Sequence, residues 1–162
     1  MKNGFEAIVD IDDFDRLSKL TWHMAKTTNS KIGYVTYTIN NYDEIKRTCQ
    51  SIRMHRLVMN VTDPKIQVDH INNNPLDNRK CNLRLCNAAQ NARNTKFRST
   101  NTTGYKGVFL QKRSGRYTSS IGVNKERYYL GIYNTPEQAA LAYNEASRKY
   151  HGEYGYINKI TN

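Results

Sequence analysis

The chain has 162 residues, 38% of them hydrophobic, with 12 Tyr against 4 Phe and 1 Trp; that composition allows one compact domain or two small ones with thin cores. Its hydrophobic runs fall short of the ~18–20 residues a bilayer span needs. The start MKNGFEAIVDIDDFD has no secretory stretch and three cysteines cannot form a disulfide framework, so a spanning protein is excluded and a cytoplasmic one without membrane contact is expected. Lys and Arg total 25 against 14 Asp and Glu, a net charge of +11, which points to a polyanionic partner.

Residues 1–50 balance 7 basic with 7 acidic side chains, and no carboxylate lies between Asp77 and Glu126. Neutralising a phosphate releases condensed counterions, so an acid-free basic stretch suits nucleic acid. A basic surface kept for solubility is the alternative, but it does not require excluding acids from so long a segment.

In chain order, residues 1–54 form a β-rich lead-in: FEAIVDI, a short helical stretch around Asp12–Leu20, and a strand over GYVTYTI by its Tyr, Val and Thr content. In this segment Trp22 and Tyr34 are read as core. Residues 55–97 carry the chemistry. Residues 98–104 (RSTNTTG) are small and polar, a linker by composition. Over 105–162 three strands are predicted, Lys106–Gln111, Arg116–Val123 and Arg127–Tyr133, followed by a helix. Thr135 is its N-cap, Pro136 its first residue, Gln138 completes a capping box, and Gly152 ends it. The alternation of Tyr128, Tyr129 and Tyr133 sends some rings to the core and some to the open face. The fold class expected is α+β.

Within 55–97, Val68-Asp69-His70-Ile71 reads as a strand end, NNNPLDN as a turn, Leu83-Arg84-Leu85 as a second strand and Cys86–Lys96 as a helix. A hairpin running into a helix can converge Asp69, His70 and Asn91 on one small site. A carboxylate with an amide carbonyl suits a hard divalent cation, Mg²⁺ or Mn²⁺. A histidine beside it can take a proton from water. Cys81 and Cys86 lack the second pair of a zinc site and are read as small buried thiols. His55 is read either as lying near substrate or as a structural histidine.

The patterns M-H-R-L-V at Met54–Val58, V-D-H-I at Val68–Ile71, D-N-x-x-x-N-L-R at Asp77–Arg84 and A-x-x-N-A-R-N at Ala88–Asn94 resemble the HNH nucleases, most closely the phage and intron-encoded homing endonucleases. The resemblance implies a ββα-metal module binding one divalent ion, Mg²⁺ or alternatively Mn²⁺. By position, Asp69 and Asn91 would be metal ligands and His70 the general base. Asn82 would bond across the hairpin and hold its loop. One site per chain implies nicking unless two chains meet, with a monomer preferred.

A second resemblance follows. G-Y-K-G-V at Gly104–Val108, S-G-R-Y at Ser114–Tyr117, R-Y-Y-L-G-I-Y at Arg127–Tyr133, T-P-E-Q-A-A-L-A-Y at Thr135–Tyr143 and H-G-E-Y at His151–Tyr154 are similar to the Apetala-two, or ethylene-response-factor, DNA-binding domain. That family lays a three-stranded sheet in the major groove of double-stranded DNA. By position, Lys106, Arg116, Tyr117, Arg127 and Tyr129 would be contacts, and Arg84, Arg93, Lys112 and Arg113 from the acid-free stretch complete the expected DNA-binding set. The plant pattern has Trp at Tyr117 and Tyr129 and Arg at Gly122, so its base preference is not carried over. The combined expectation is a metal-dependent, site-specific DNA endonuclease. The rival readings are a DNA-binding regulator with a vestigial HNH segment and an RNA-directed nuclease.

Overall fold

A computed structural model describes the backbone of residues 4–27, 30–42, 47–97 and 100–160, without the side chains of 26–32 and 41–47. Residues 98 and 99 of the expected linker lie outside the described residues. The chain is α+β and folds as two compact units, Met1–Asn87 and Ala88–Asn162.

In the first unit, helix α1 (Ile11–Ser18) carries Asp12 and Asp13 in its first turn and Arg16 in its last, charges that complement the helix dipole. Strands β1 (Trp22–Thr27), β2 (Ser30–Tyr42) and β3 (Arg47–Arg53) form an antiparallel sheet in the order β1-β2-β3. Helix α2 (Met54–Val58) follows, and Arg16 reaches its end, donating to the carbonyls of Leu57 and Val58 at 3.3 and 3.4 Å. Strands β4 (Gln67–His70) and β5 (Leu83–Cys86) make an antiparallel hairpin whose connecting loop ends in a 3-10 turn at Lys80–Asn82. One core joins these elements: Leu17, Trp22, Val35, Met54, Val58, Val68 and Leu83 are all buried together. Each such side chain contributes ~1.5–3 kcal/mol on burial. Trp22 also satisfies its ring N–H on the Leu17 carbonyl at 2.8 Å.

The second unit begins with helix α3 (Ala88–Asn94), shorter at both ends than the helix expected over Cys86–Lys96. Strands β6 (Val108–Gln111), β7 (Arg116–Val123) and β8 (Glu126–Tyr133) form a three-stranded antiparallel sheet covered by helix α4 (Pro136–His151). The first strand starts two residues later than expected because Gly107 turns the chain at φ 76°. Thr135 Oγ1 accepts the Gln138 N–H at 3.3 Å, and Gly152 ends α4 at φ 57°. Alanines bring α4 close to the sheet: Ala139 and Ala140 pack on Val108, and Ala146 packs with Ile121 and Tyr143. No helix among the described residues is long and apolar enough to cross a membrane.

Candidate functional site

The β4–β5 register sets Asp69 opposite Arg84 and His70 opposite Leu83. Cross-strand partners have Cβ atoms within ~5.5 Å, and here the side chains meet. Arg84 donates Nε and Nη2 to one oxygen, Asp69 Oδ2, at 2.9 and 2.6 Å. The pair is withdrawn from water, with side-chain exposures of 7% for Asp69 and 11% for Arg84. Arg84, from the expected DNA-binding set, thus has its guanidinium on the carboxylate.

The hairpin loop is held by amides. Asn82 Oδ1 accepts the Asn72 backbone N–H at 3.0 Å, while its Nδ2 donates to Asn72 Oδ1 at 3.0 Å and to the Asp77 carbonyl at 2.7 Å. Arg79 clasps Asp77 through Nε and Nη2, both at 2.8 Å. That hydrogen-bonded guanidinium is the largest influence drawing the Asp77 carboxyl below the usual carboxylate value. From the amino-terminal side, Ile8 pairs with the loop: its N–H donates to Leu76 O and its carbonyl accepts Asn78 N–H, each at 2.8 Å.

This loop delivers a residue the sequence reading did not single out. Asn78 is 1% exposed, with Oδ1 3.3 Å from His70 Nε2 and Nδ2 donating to the Pro75 carbonyl at 3.2 Å. The Pro75 bond fixes which way the amide faces, so Oδ1 is the atom presented to the ring. His70 therefore donates from Nε2, and Nδ1 is the basic nitrogen. Burial draws His70 below the ordinary histidine value, opposed by the Asn78 bond and the charges of Asp69 and Asp77. His55 meets the His70 ring edge-on at a centroid distance of 5.0 Å, and Tyr34 lies 5.1 Å from His55 and 6.2 Å from His70. Burial above all, then His70, Arg53 and Arg56, push His55 down to about 3. His55 on α2 and Tyr34 on β2 pack on His70 across elements, so local pattern, which read His55 as near substrate or structural and Tyr34 as core, did not pair either ring with His70. The Asn78 side chain was visible only as part of D-N-x-x-x-N-L-R.

Asp69, His70 and Asn82 thus share the hairpin of the first unit. Asn91 lies half-buried on α3 in the second unit, its carbonyl accepting Thr95 Oγ1 at 3.4 Å. No group of three or more His, Cys, Asp and Glu that could hold a metal ion is found among the described residues. Taken singly, the buried carboxylate at Asp69 and the side-chain amide oxygen at Asn91 are each hard oxygen donors of the type divalent cations take. Cys86 is buried, which raises its thiol, whereas Cys81 is exposed in the 3-10 turn rather than packed as expected.

Alternation sorts the second sheet. Tyr117 and Tyr133 are paired and both pack into the Val108–Ala139–Ala140 core, so Tyr117 lies on the α4 side. Tyr128 also faces α4, stacking on Tyr150 at 5.5 Å. Arg127 and Tyr129 take the other face, where Tyr129 is 62% exposed and the Arg127 guanidinium sits 5.7 Å from the Phe109 ring. Arg116 pairs with Gln111 at the exposed end of the sheet, and Lys112 and Arg113 are exposed in the adjoining turn. Arg93 is half-buried on α3. Lys106 is half-buried, its Nζ donating to the carbonyls of Arg93 and Thr95 at 2.7 and 2.6 Å.

Residues 62–93 match the HNH endonuclease family, and residues 103–153 match the AP2 domain. An uncharacterized HNH endonuclease of Acanthamoeba polyphaga mimivirus is 29% identical over 163 residues, covering 97% of this chain and 76% of its own length. An ethylene-responsive transcription factor of Arabidopsis thaliana is 41% identical over 66 residues, 40% of this chain and 14% of the plant protein. Protein 3.8 of Escherichia phage T7 is 29% identical over 87 residues, 54% of this chain and 71% of the phage protein. The mimivirus similarity runs through both units, and the chain carries a segment that matches the HNH endonuclease model followed by one that matches the AP2 domain model.

Proposed function

We propose that the chain is a metal-dependent, site-specific DNA endonuclease of the homing type, hydrolysing phosphodiester bonds while the β6–β8 sheet docks on duplex DNA. The observation that carries this reading is the state of His70, a buried imidazole whose Nε2 is committed to Asn78 Oδ1 at 3.3 Å, next to the carboxylate of Asp69. Because burial disfavours the charged ring, His70 is neutral near pH 7 and its Nδ1 can take the proton of an attacking water. Asn82 keeps the loop that carries Asn78 in place. Asp69 and Asn91 are the residues that would hold the ion. A bound divalent cation supplies charge stabilisation at the phosphate and leaving oxygen. Arg127 and Tyr129, with Lys112, Arg113 and Arg116, offer charge and stacking surface to the groove and backbone.

A second reading, a DNA-binding regulator with a silent HNH segment, draws on Arg84: a carboxylate already paired with a guanidinium does not require an ion. The test incubates the purified chain and a library of duplex DNA with Mg²⁺ or Mn²⁺, with and without chelator. Chelator-sensitive cutting that disappears in Asp69→Ala and His70→Ala, with binding retained, supports the nuclease. Binding without cutting in either ion supports the regulator.

A further inference from the structure

We propose that Lys106 is a positioning residue: it builds the Asn91-bearing helix α3 into the body of the DNA-docking unit, so that the sheet's footprint fixes where the DNA strand is cut. The inference rests on the nuclease reading above for its second half and on contacts within the second unit for its first. Resemblance alone would send Lys106 to DNA. The side chain runs the other way, donating Nζ to the Arg93 and Thr95 carbonyls at the carboxyl end of α3, at 2.7 and 2.6 Å. Those are carbonyls that the helix itself leaves without partners, at the end where a cation is favoured.

The lysine's own backbone is clamped as firmly. Asn158, 3% exposed, accepts Lys106 N–H on Oδ1 at 2.7 Å and donates Nδ2 to the Lys106 carbonyl at 3.0 Å. Asn158 is in turn locked to α4: its carbonyl accepts Asn144 Nδ2 at 2.9 Å and its N–H donates to Asn144 Oδ1 at 2.7 Å. A continuous chain of bonds thus runs from α4 through Asn158 and Lys106 to α3. Tyr156 closes it from the far side, its N–H reaching the Arg93 carbonyl at 3.4 Å and its ring lying 5.5 Å from Lys106 Nζ. Sheet, α4 and α3 therefore behave as one body. A displacement of the catalytic helix relative to the DNA-reading face requires breaking the ammonium's two bonds. Burial of the amine, which pulls it down to about 8, is consistent with an ammonium given to carbonyls rather than to water.

The test uses the full chain carrying Lys106→Met, which keeps the apolar stem and removes the charge, with Lys106→Arg as the charge-conserving control. Three readouts are taken: hydrogen exchange of the peptide spanning 88–97, salt dependence of duplex binding in chelator, and the positions cut on a long end-labelled duplex in Mg²⁺. We expect faster exchange in α3, an unchanged salt slope, and cuts spread over neighbouring phosphates, with the rate at the parental position reduced by roughly ten- to a hundredfold. Lys106→Arg should recover part of the register. A salt slope reduced by about 0.9, with exchange and cut position unchanged, would make Lys106 a phosphate contact and overturn the proposal. If the parent chain cuts in neither ion, the nuclease reading fails and with it the link to cut position. The exchange of α3 still decides whether Lys106 pins the helix.

Discussion

Under the proposed function Arg84 and a divalent cation would compete for Asp69, and that competition can be measured through stability. In Arg84→Met the carboxylate loses both guanidinium bonds, at 2.9 and 2.6 Å. Were the pair exposed, the loss would be at most about 1 kcal/mol. With side-chain exposures of 7% and 11% it belongs to the buried class, where stranding one partner costs about 3–5 kcal/mol. For a unit of this size that lowers the melting midpoint by more than ~10 °C. A cation on Asp69 offsets the stranded charge, restoring ~2.7 kcal/mol when its concentration is a hundred times the Kd. The parent, whose Oδ2 is already occupied, gains less. Urea melts of parent and variant in chelator and in Mg²⁺ read both quantities. A variant within about 1 kcal/mol of the parent in chelator would refute the burial argument. An equal response of both proteins to Mg²⁺ would refute the competition for Asp69.

Acid should destabilise the first unit through its buried histidines. His55 takes a proton near 6.5 when unfolded but only at about 3 when folded, so the unfolded state binds more protons between those values and stability falls as pH drops below 6.5. The slope is ~1.4 kcal/mol per pH unit for a fully shifted group. His55→Phe should flatten the decline between pH 6.5 and 5 in urea melts; an unchanged decline would assign acid sensitivity elsewhere. Gly107 and Gly115 share a left-handed backbone, at φ 76° and 68°. A Cβ at Gly107 would lie 2.1 Å from Tyr143 Cδ2 and 2.6 Å from the Ser120 carbonyl, whereas one at Gly115 meets nothing within 4 Å. Gly115→Ala should cost about 1–2 kcal/mol of backbone strain and Gly107→Ala about 1–3 kcal/mol more for overlap; equal melting shifts would contradict the close approach. Tyr129→Ala should weaken duplex binding at unchanged Tm, while Tyr117→Ala should lower Tm instead; the opposite pattern in fluorescence anisotropy and melting would exchange the two faces.

Local chemistry made α4 legible, because a capping hydroxyl, a proline and a terminating glycine act over a few residues. The same holds for the Asp69–His70 strand, whereas the Asn82 staple was implied only by the resemblance to HNH nucleases. What escaped depends on pairing at a distance. The strand β3, RTCQSIR, has no apolar run and exists because β2 supplies its hydrogen bonds, Thr36 opposite Arg53 through Tyr42 opposite Arg47. Asp69 meets Arg84 only through the hairpin register. Tyr117 and Tyr129 both alternate in strands, yet the register shift between Ser119 and Ser120 changes the parity between β7 and β8, so counting along one strand does not tell which face the other presents. Lys106 is a cation in a basic stretch, and charge does not distinguish an ammonium facing phosphate from one capping a helix.

The two backbone bonds at Ile8 give the amino-terminal segment an unexpected leverage. They anchor the stretch from Leu76 to Asn78, and Asn78 is the residue that orients the His70 ring. A protease nick just after Ile8, or a bulky fusion tag seated there, would slacken the imidazole's support from outside while leaving the β6–β8 sheet intact. Under the proposed function, trimming that tail would turn a cutter into a blocker that still occupies its target.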